Sequence, residues 1–238
     1  MASTFLTAEW RKLIMAQYEV APETLAAYLP RGVELDLYQG RCYVSLVAFL
    51  FDKVRVKGFA VPGHTSFEEI NLRFYVRRRE GDGVRRGVVF IREFVPRRAI
   101  AWVAKRIYEE PYAAVPSSHK LGKKMDLVFA RYAWQMGGRV HSLEAAGHAP
   151  AQEIAAGSEE EFITEHYWGY TKRSDGSTSV YQVEHPRWET YRLQSYEIAV
   201  DFEGLYGREF GFLNGVKESS VLLAEGSAVR VYGEARLG

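Results

Sequence analysis

The sequence predicts a single α+β, mostly β domain built on an antiparallel, barrel-like sheet, and three observations predict it. Short runs of strand-like patterning follow one another across glycine-containing turns, which is hairpin order. The few helical patterns are interspersed without regular strand–helix–strand alternation, which argues against a parallel α/β sheet. Aromatic residues make up 14% of the chain, with 15 tyrosines, a share that suits half-buried sheet surfaces and pocket walls. With 238 residues, 47% of them apolar, the chain can bury a sizeable core, and residues 1–238 read as one domain without internal repeat or linker.

The elements follow in order. Residues 22–30 read as a short helix, with Pro22 suited to its first turn and Pro30 at its end. Pro30-Arg31-Gly32 then turns the chain into residues 41–51, which are apolar on both alternating faces, as in a strand covered on both sides. Residues 67–76 form the next strand and 87–95 its return, with Asp82-Gly83 at the hairpin tip. After Pro96, the spacing of Ile100, Val103, Ala104, Ile107 and Tyr108 predicts an amphipathic helix. Residues 125–135 and 139–144 form a strand pair across Gly137-Gly138, followed by a loop over 145–157. Ser158 with Glu161 three residues on is a capping box, so a short helix runs from Glu159 to about Tyr167. Residues 167–172 and 177–184 flank the turn Ser174-Asp175-Gly176, and 190–202 and 219–232 supply further strands.

The most informative stretch is residues 67–76. Strand side chains alternate between faces, so Ile70, Leu72, Phe74 and Val76 share one face while Glu69, Asn71, Arg73 and Tyr75 share the other. One reading leaves the polar face in water, where such residues are ordinary. The other buries it, because a carboxylate, an amide, a guanidinium and a phenol in one row can satisfy one another or hold a polar ligand, and buried charges persist only when so paired.

The surrounding residues resemble the YqjF-like family, whose function is unknown, within the acetoacetate decarboxylase-like superfamily. The resemblance spans nearly the whole chain. It rests on Trp10-Arg11-x-Leu13 with Met15 and Tyr18-x-Val20, on Leu29-Pro30-x-Gly32-Val33-Glu34-Leu35-Asp36, and on Val44-Ser45-Leu46-Val47-x-Phe49. It continues through Phe67-x-Glu69-x-Asn71-Leu72-Arg73-x-Tyr75-Val76, Gly87-Val88-x-Phe90, Arg106-x-Tyr108-x-x-Pro111-Tyr112, Glu165-x-Tyr167 and His185-Pro186-x-Trp188. It implies flanking helices, a central cavity, and a place for Glu69 among that cavity's walls. In the decarboxylases that name the superfamily, an internal lysine forms a Schiff base with a β-keto acid. The corresponding motif falls here on residues 106–113 and puts Tyr112 where that lysine stands; the nearest lysines in sequence, Lys105 and Lys120, lie outside the motif. A phenol forms no imine, so Schiff-base decarboxylation is not expected.

Other chemistry finds less support. His64, His119, His141, His148, His166 and His185 show no metal-ligand spacing, so no metal is expected. His185, beside Trp188, reads first as a packing histidine and second as a ligand contact. Cys42, the single cysteine, lies in an apolar run where a thiol is protonated and inert, and it suits a reducing cytoplasmic setting. No nucleophile elbow, phosphate loop or dinucleotide fingerprint is present, so no cofactor is implied. With 31 Lys plus Arg against 30 Asp plus Glu, net charge draws the chain toward neither nucleic acid nor membrane. The clusters Arg77-Arg78-Arg79 and Arg85-Arg86 frame a hairpin tip, where solvated charge is ordinary, and with Arg97-Arg98 they are interspersed with Glu80, Asp82 and Glu93. The N-terminal segment is polar and no apolar run reaches bilayer length.

Two functions from different classes follow. The first is a barrel that binds a small polar or carboxylate-bearing metabolite through Glu69, Asn71, Arg73 and Tyr75, with Arg106, Tyr112, His185 and Trp188 as further lining residues; Arg73 or Arg106 engages a carboxylate or carbonyl oxygen. The second is an enzyme acting on a small oxo acid, with Glu69 as base and Tyr112 as donor to a developing enolate. A third reading makes the polar row a purely structural ion-pair network.

Overall fold

The computed structural model of the chain describes residues 3–96 and 111–237. Within them lie fourteen strands: β1 (Thr4–Glu19), β2 (Glu34–Leu35), β3 (Tyr43–Val56), β4 (Phe67–Glu80), β5 (Gly83–Val95), β6 (Tyr112–Ala114), β7 (Ser117–Lys124), β8 (Leu127–Met136), β9 (Arg139–Glu153), β10 (Trp168–Lys172), β11 (Thr178–Glu184), β12 (Glu189–Ala199), β13 (Ser220–Tyr232) and β14 (Ala235–Leu237). The ladder β11-β10-β5-β4-β3-β1-β13 closes on itself, because β13 also pairs with β11 through Val183↔Val231 and Glu184↔Arg230. The first half of β13 pairs instead with β12, which leads out to β9, β8 and β7. β13 is therefore shared between a strand ring and an outer sheet.

Apolar residues of the ring divide between two cores. One face, with Ile14, Leu46, Ile70, Leu72 and Phe74, packs against the outer sheet and against the helical segment around Phe202 and Phe210. The inner face carries Leu13, Met15, Val47, Phe49, Phe67 and Leu222. The predicted division of residues 67–76 into an apolar side and a polar side matches this arrangement.

Strict alternation fails where strands bulge. On β1 the pairing register shifts between Arg11 and Ile14, at Lys12 with φ 53°, so Trp10 and Leu13, rather than Trp10 and Lys12, share the inner side. Gly226 of β13 meets this bulge with φ 80°, and a Cβ there would lie 2.0 Å from the Trp10 carbonyl oxygen. On β5 the register shifts opposite Leu72 and Arg73, so Ile91 packs on the outer face and Glu93, not Arg92, turns inward.

The turns follow local chemistry. The β8–β9 hairpin has Met136 opposite Arg139, with both Gly137 and Gly138 at positive φ, as a tight primed turn needs. The β4–β5 hairpin turns through Gly81-Asp82, one residue earlier than Asp82-Gly83, because Gly81 supplies the positive φ and Gly83 already pairs with Glu80. Ser158 caps the helix Glu159–Thr164 by accepting from the Glu161 amide.

Three expectations need correction. Residues 22–30 hold one 3₁₀ turn, Pro22–Leu25, with Leu25 its one buried residue, too little apolar surface to carry a longer helix. Residues 145–157 are mostly strand, because β9 continues to Glu153 with β12 on one side and β8 on the other. Its small residues reflect close approach rather than a loop: a Cβ on Gly147 would sit 2.8 Å from that of Tyr191. The sheet is also not wholly antiparallel, since β5 pairs in parallel with both β10 and β6. The helix expected over residues 100–108 lies outside the described residues.

Candidate functional site

The inward side chains of β4 are buried: Glu69 is 4% exposed, Asn71 1%, Arg73 9% and Tyr75 1%. This rules out the solvated face and leaves polar groups that need partners inside the protein. Neighbouring elements bring more. The bulged β5 places Glu93 opposite Asn71, and β6 pairs Tyr112 with Glu93. The chain leaves β11 for β12 through His185-Pro186-Arg187-Trp188, at the point where ring and outer sheet part.

Glu69 is the hub of a hydrogen-bonded cluster. One carboxylate oxygen accepts from Asn71 Nδ2 at 3.0 Å and the other from the Tyr112 hydroxyl at 3.1 Å. Burial pushes its pKa up to about 7, against the opposing effects of Asn71, Tyr112, Arg73 and a hydrogen bond with Glu93. Arg73 is not its ion-pair partner. Among the described residues the guanidinium donates one long hydrogen bond, from Nη2 to the Ile163 carbonyl at 3.5 Å, and its Nε is buried without a partner. Its carbon lies 5.7 Å from the Tyr75 ring centroid.

His166 lies beside this cluster. Its Nε2 meets Asp36 Oδ2 at 3.2 Å, and that oxygen also accepts from Arg86 Nε at 2.6 Å. Burial lowers the imidazole to about 4 despite Asp36, so it is neutral at pH 7; Nε2 then donates to the carboxylate and Nδ1 is an acceptor, buried without a partner. His185 stacks on Trp188 with centroids 4.3 Å apart and planes at 18°, and its Nδ1 donates to the Pro186 carbonyl at 2.9 Å. Trp188 in turn donates from Nε1 to Ser227 Oγ at 2.9 Å.

Glu69, Asn71, Arg73, Tyr112, His185 and Trp188 line one pocket of about 310 Å³. Tyr75 does not: its hydroxyl is hydrogen-bonded to Ser45 Oγ at 2.6 Å, and its ring packs on Phe162 and His166, sealing the end beyond Arg73. Arg106, Lys105 and the Arg97-Arg98 pair lie outside the described residues. Lys120 is exposed on β7, and among the described residues no lysine lines the pocket. The hairpin arginines meet carboxylates, Arg77 and Arg79 at Glu34 and Arg85 at Glu80. Cys42 is buried, and burial pushes its thiol up to about 11, as expected of an inert side chain.

Sequence reasoning missed Glu93, His166 and Trp10, which also line the pocket. Glu93 was detectable as the acidic residue in an otherwise apolar return strand, but alternation from Val88 and Phe90 points Arg92 inward unless the bulge is known. His166 sits between Glu165 and Tyr167 of a recognisable motif, yet nothing local tells that the helix before it folds over the ring.

The fold is that of acetoacetate decarboxylase-like enzymes. The acetoacetate decarboxylase of Legionella pneumophila subsp. pneumophila str. Philadelphia 1 superposes with a TM-score of 0.63 at 15% identity, covering 100% of this chain and 88% of that one. An acetoacetate decarboxylase-like enzyme from Sphingomonas wittichii RW1 gives 0.65 at 11% identity, with 99% and 94% covered. The enduracididine biosynthesis enzyme MppR, complexed with pyruvate, gives 0.67 at 15% identity, with 100% and 91% covered. At such identities the likeness is one of fold. By sequence the chain belongs to the DUF2071 family, described as an uncharacterized conserved protein, whose model matches residues 7–228. It is 29% identical over 161 residues to the uncharacterized protein YqjF of Bacillus subtilis (strain 168), a match covering 67% of this chain and 62% of that protein, so it spans less than two thirds of the relative's length. No helix among the described residues is long and apolar enough to cross a membrane.

Proposed function

We propose that this chain binds a small carboxylate-bearing metabolite in the cavity of a barrel-like ring, with Arg73 as the anion-binding group. The observation that carries this reading is an arginine nine-tenths buried in a pocket wall with no carboxylate partner among the described residues. A guanidinium so placed loses its hydration and recovers little of it, whereas a ligand carboxylate would supply a planar acceptor for its free donors. The same geometry counts against a purely structural ion-pair row, because Glu69 spends its hydrogen bonds on Asn71, Tyr112 and Glu93. The fold neighbour MppR was captured with pyruvate, a small oxo acid, which agrees in class. We read the chain as a single cytoplasmic domain without nucleic-acid or membrane partners.

Thermal shift against a panel of oxo and hydroxy acids tests it. Members of one acid class should raise the melting temperature of the unmodified protein, as binding to the native state must. Arg73→Met should abolish that shift while leaving the unliganded protein at least as stable, since an unpaired buried charge is replaced by an apolar side chain. An acid-induced shift that survives in Arg73→Met overturns the role of Arg73.

A second reading is favoured by the Tyr112–Glu69 hydrogen bond and by the raised Glu69 carboxyl. A carboxylate that titrates near neutrality suits proton transfer, and the neighbouring phenol can donate to a developing enolate oxygen. This enzyme would take a proton from the carbon beside an oxo acid's carbonyl without any imine. Deuterium exchange at that carbon, followed by NMR and lost in Glu69→Gln, separates it from simple binding.

A further inference from the structure

Among the described residues, formally charged side chains enter the pocket wall in one place. Glu69, Arg73 and Glu93 sit on adjoining rungs of β4 and β5. Away from them the walls change character. Phe51 faces Phe67 across the β3–β4 ladder, their rings stacked with centroids 5.0 Å apart. Further along the ring, Leu6 pairs with Val56 on one side and Val231 on the other, and Val231 pairs with Val183. All six of these apolar residues line the pocket.

Burial also differs between the ends. Tyr43 and Tyr75 are each 1% exposed and, with Phe162, close the protein beyond Arg73. At the other end Leu6, Val56 and Val231 are only half-buried, and Val61, another wall residue, is 45% exposed. Phe67 and Arg73 are separated by about 20 Å of strand at ~3.3 Å per residue. A volume of about 310 Å³ falls at the lower bound of the roughly 300–1,000 Å³ typical of pockets for drug-sized ligands. A three-carbon acid held at Arg73 leaves most of that wall bare, and apolar wall facing water favours an apolar occupant.

We infer that the ligand is a carboxylic acid with an extended apolar body, its carboxylate at Arg73 and its body running between Phe51 and Phe67 toward the Leu6–Val56–Val231 end. The inference rests on the carboxylate reading above and adds to it the class of acid. Entry is head first, since the charged cluster lies at the closed end and the half-buried aliphatic residues at the open one.

Isothermal titration calorimetry with decanoate, dodecanoate, tetradecanoate and the neutral dodecan-1-ol, chains long enough to run from Arg73 past Phe67, tests it on the unmodified protein, Arg73→Met and Val56→Asp. Affinity should rise about fourfold per methylene along the acid series. Val56→Asp should flatten that dependence, and Arg73→Met should weaken all three acids at least tenfold without weakening dodecan-1-ol. Equal affinity for the three acids overturns the inference and leaves the carboxylate reading standing. Dodecan-1-ol binding as tightly as dodecanoate overturns the carboxylate reading, and with it the head-first orientation. Binding by none of the four overturns the inference, and the panel of oxo and hydroxy acids then decides the carboxylate reading separately.

Discussion

Glu69 and His166 both line the pocket and respond oppositely to pH. Burial raises Glu69 from 4.5 to about 7, so between those values the folded protein holds a proton the unfolded chain has released. Its stabilising contribution is complete below about 4.5 and is lost as pH rises through about 7. Burial lowers His166 from 6.5 to about 4, so its contribution is present above 6.5 and lost as pH falls through about 4. Between pH 4.5 and 6.5 the two oppose each other, and the unmodified protein should show a shallow stability profile there. Glu69→Gln removes one of them. The stability of the natural chain relative to this variant should fall between pH 5 and pH 8 by up to about 3 kcal/mol, read from urea denaturation. A difference that stays constant over that range would mean that Glu69 is not perturbed by burial.

At the scale of elements, the bulges decide what faces the pocket. Gly226 holds positive φ where β13 passes the β1 bulge, with the Trp10 carbonyl against its α-carbon. Gly226→Ala combines a strained backbone with a steric clash and should cost roughly 1–3 kcal/mol or more, seen as a lowered urea midpoint; an unchanged midpoint would show that β1 and β13 separate easily. The same bulges mark the limit of what the residues revealed. Glu69, Asn71 and Arg73 were legible because β4 keeps a period of two through the site, and Gly137-Gly138 and Ser158 act through contacts within a few residues. β1 was not legible: Lys12 interrupts its alternation between Trp10 and Leu13, so neither face reads as continuously apolar. β9 was misread beyond Glu144 because Ala145-Ala146-Gly147 is loop-like by composition, while the reason for its small side chains, the approach of Tyr191, is a contact between distant strands.

At the scale of the molecule, the ring and the outer sheet differ in how firmly they are held. β1, β3 and β4 each lie between two ladder neighbours along most of their length. Among the described residues β7 ends the outer sheet with β8 as its ladder partner, and β14 pairs with β11 at three positions. Native-state hydrogen exchange should therefore find β7 and β14 opening locally, while amides of β1, β3 and β4 exchange only on global unfolding. Uniform protection across both sheets would contradict this. The ring also divides the pocket's lining by chain segment. Glu69, Arg73 and Glu93 all belong to the single hairpin of β4 and β5, whereas the aliphatic end is assembled from β1, β3, β11 and β13. In the binding mode proposed above, head-group recognition would be encoded in one contiguous cassette, which recombination could exchange as a block, while tail preference would be dispersed along the gene and drift only one substitution at a time.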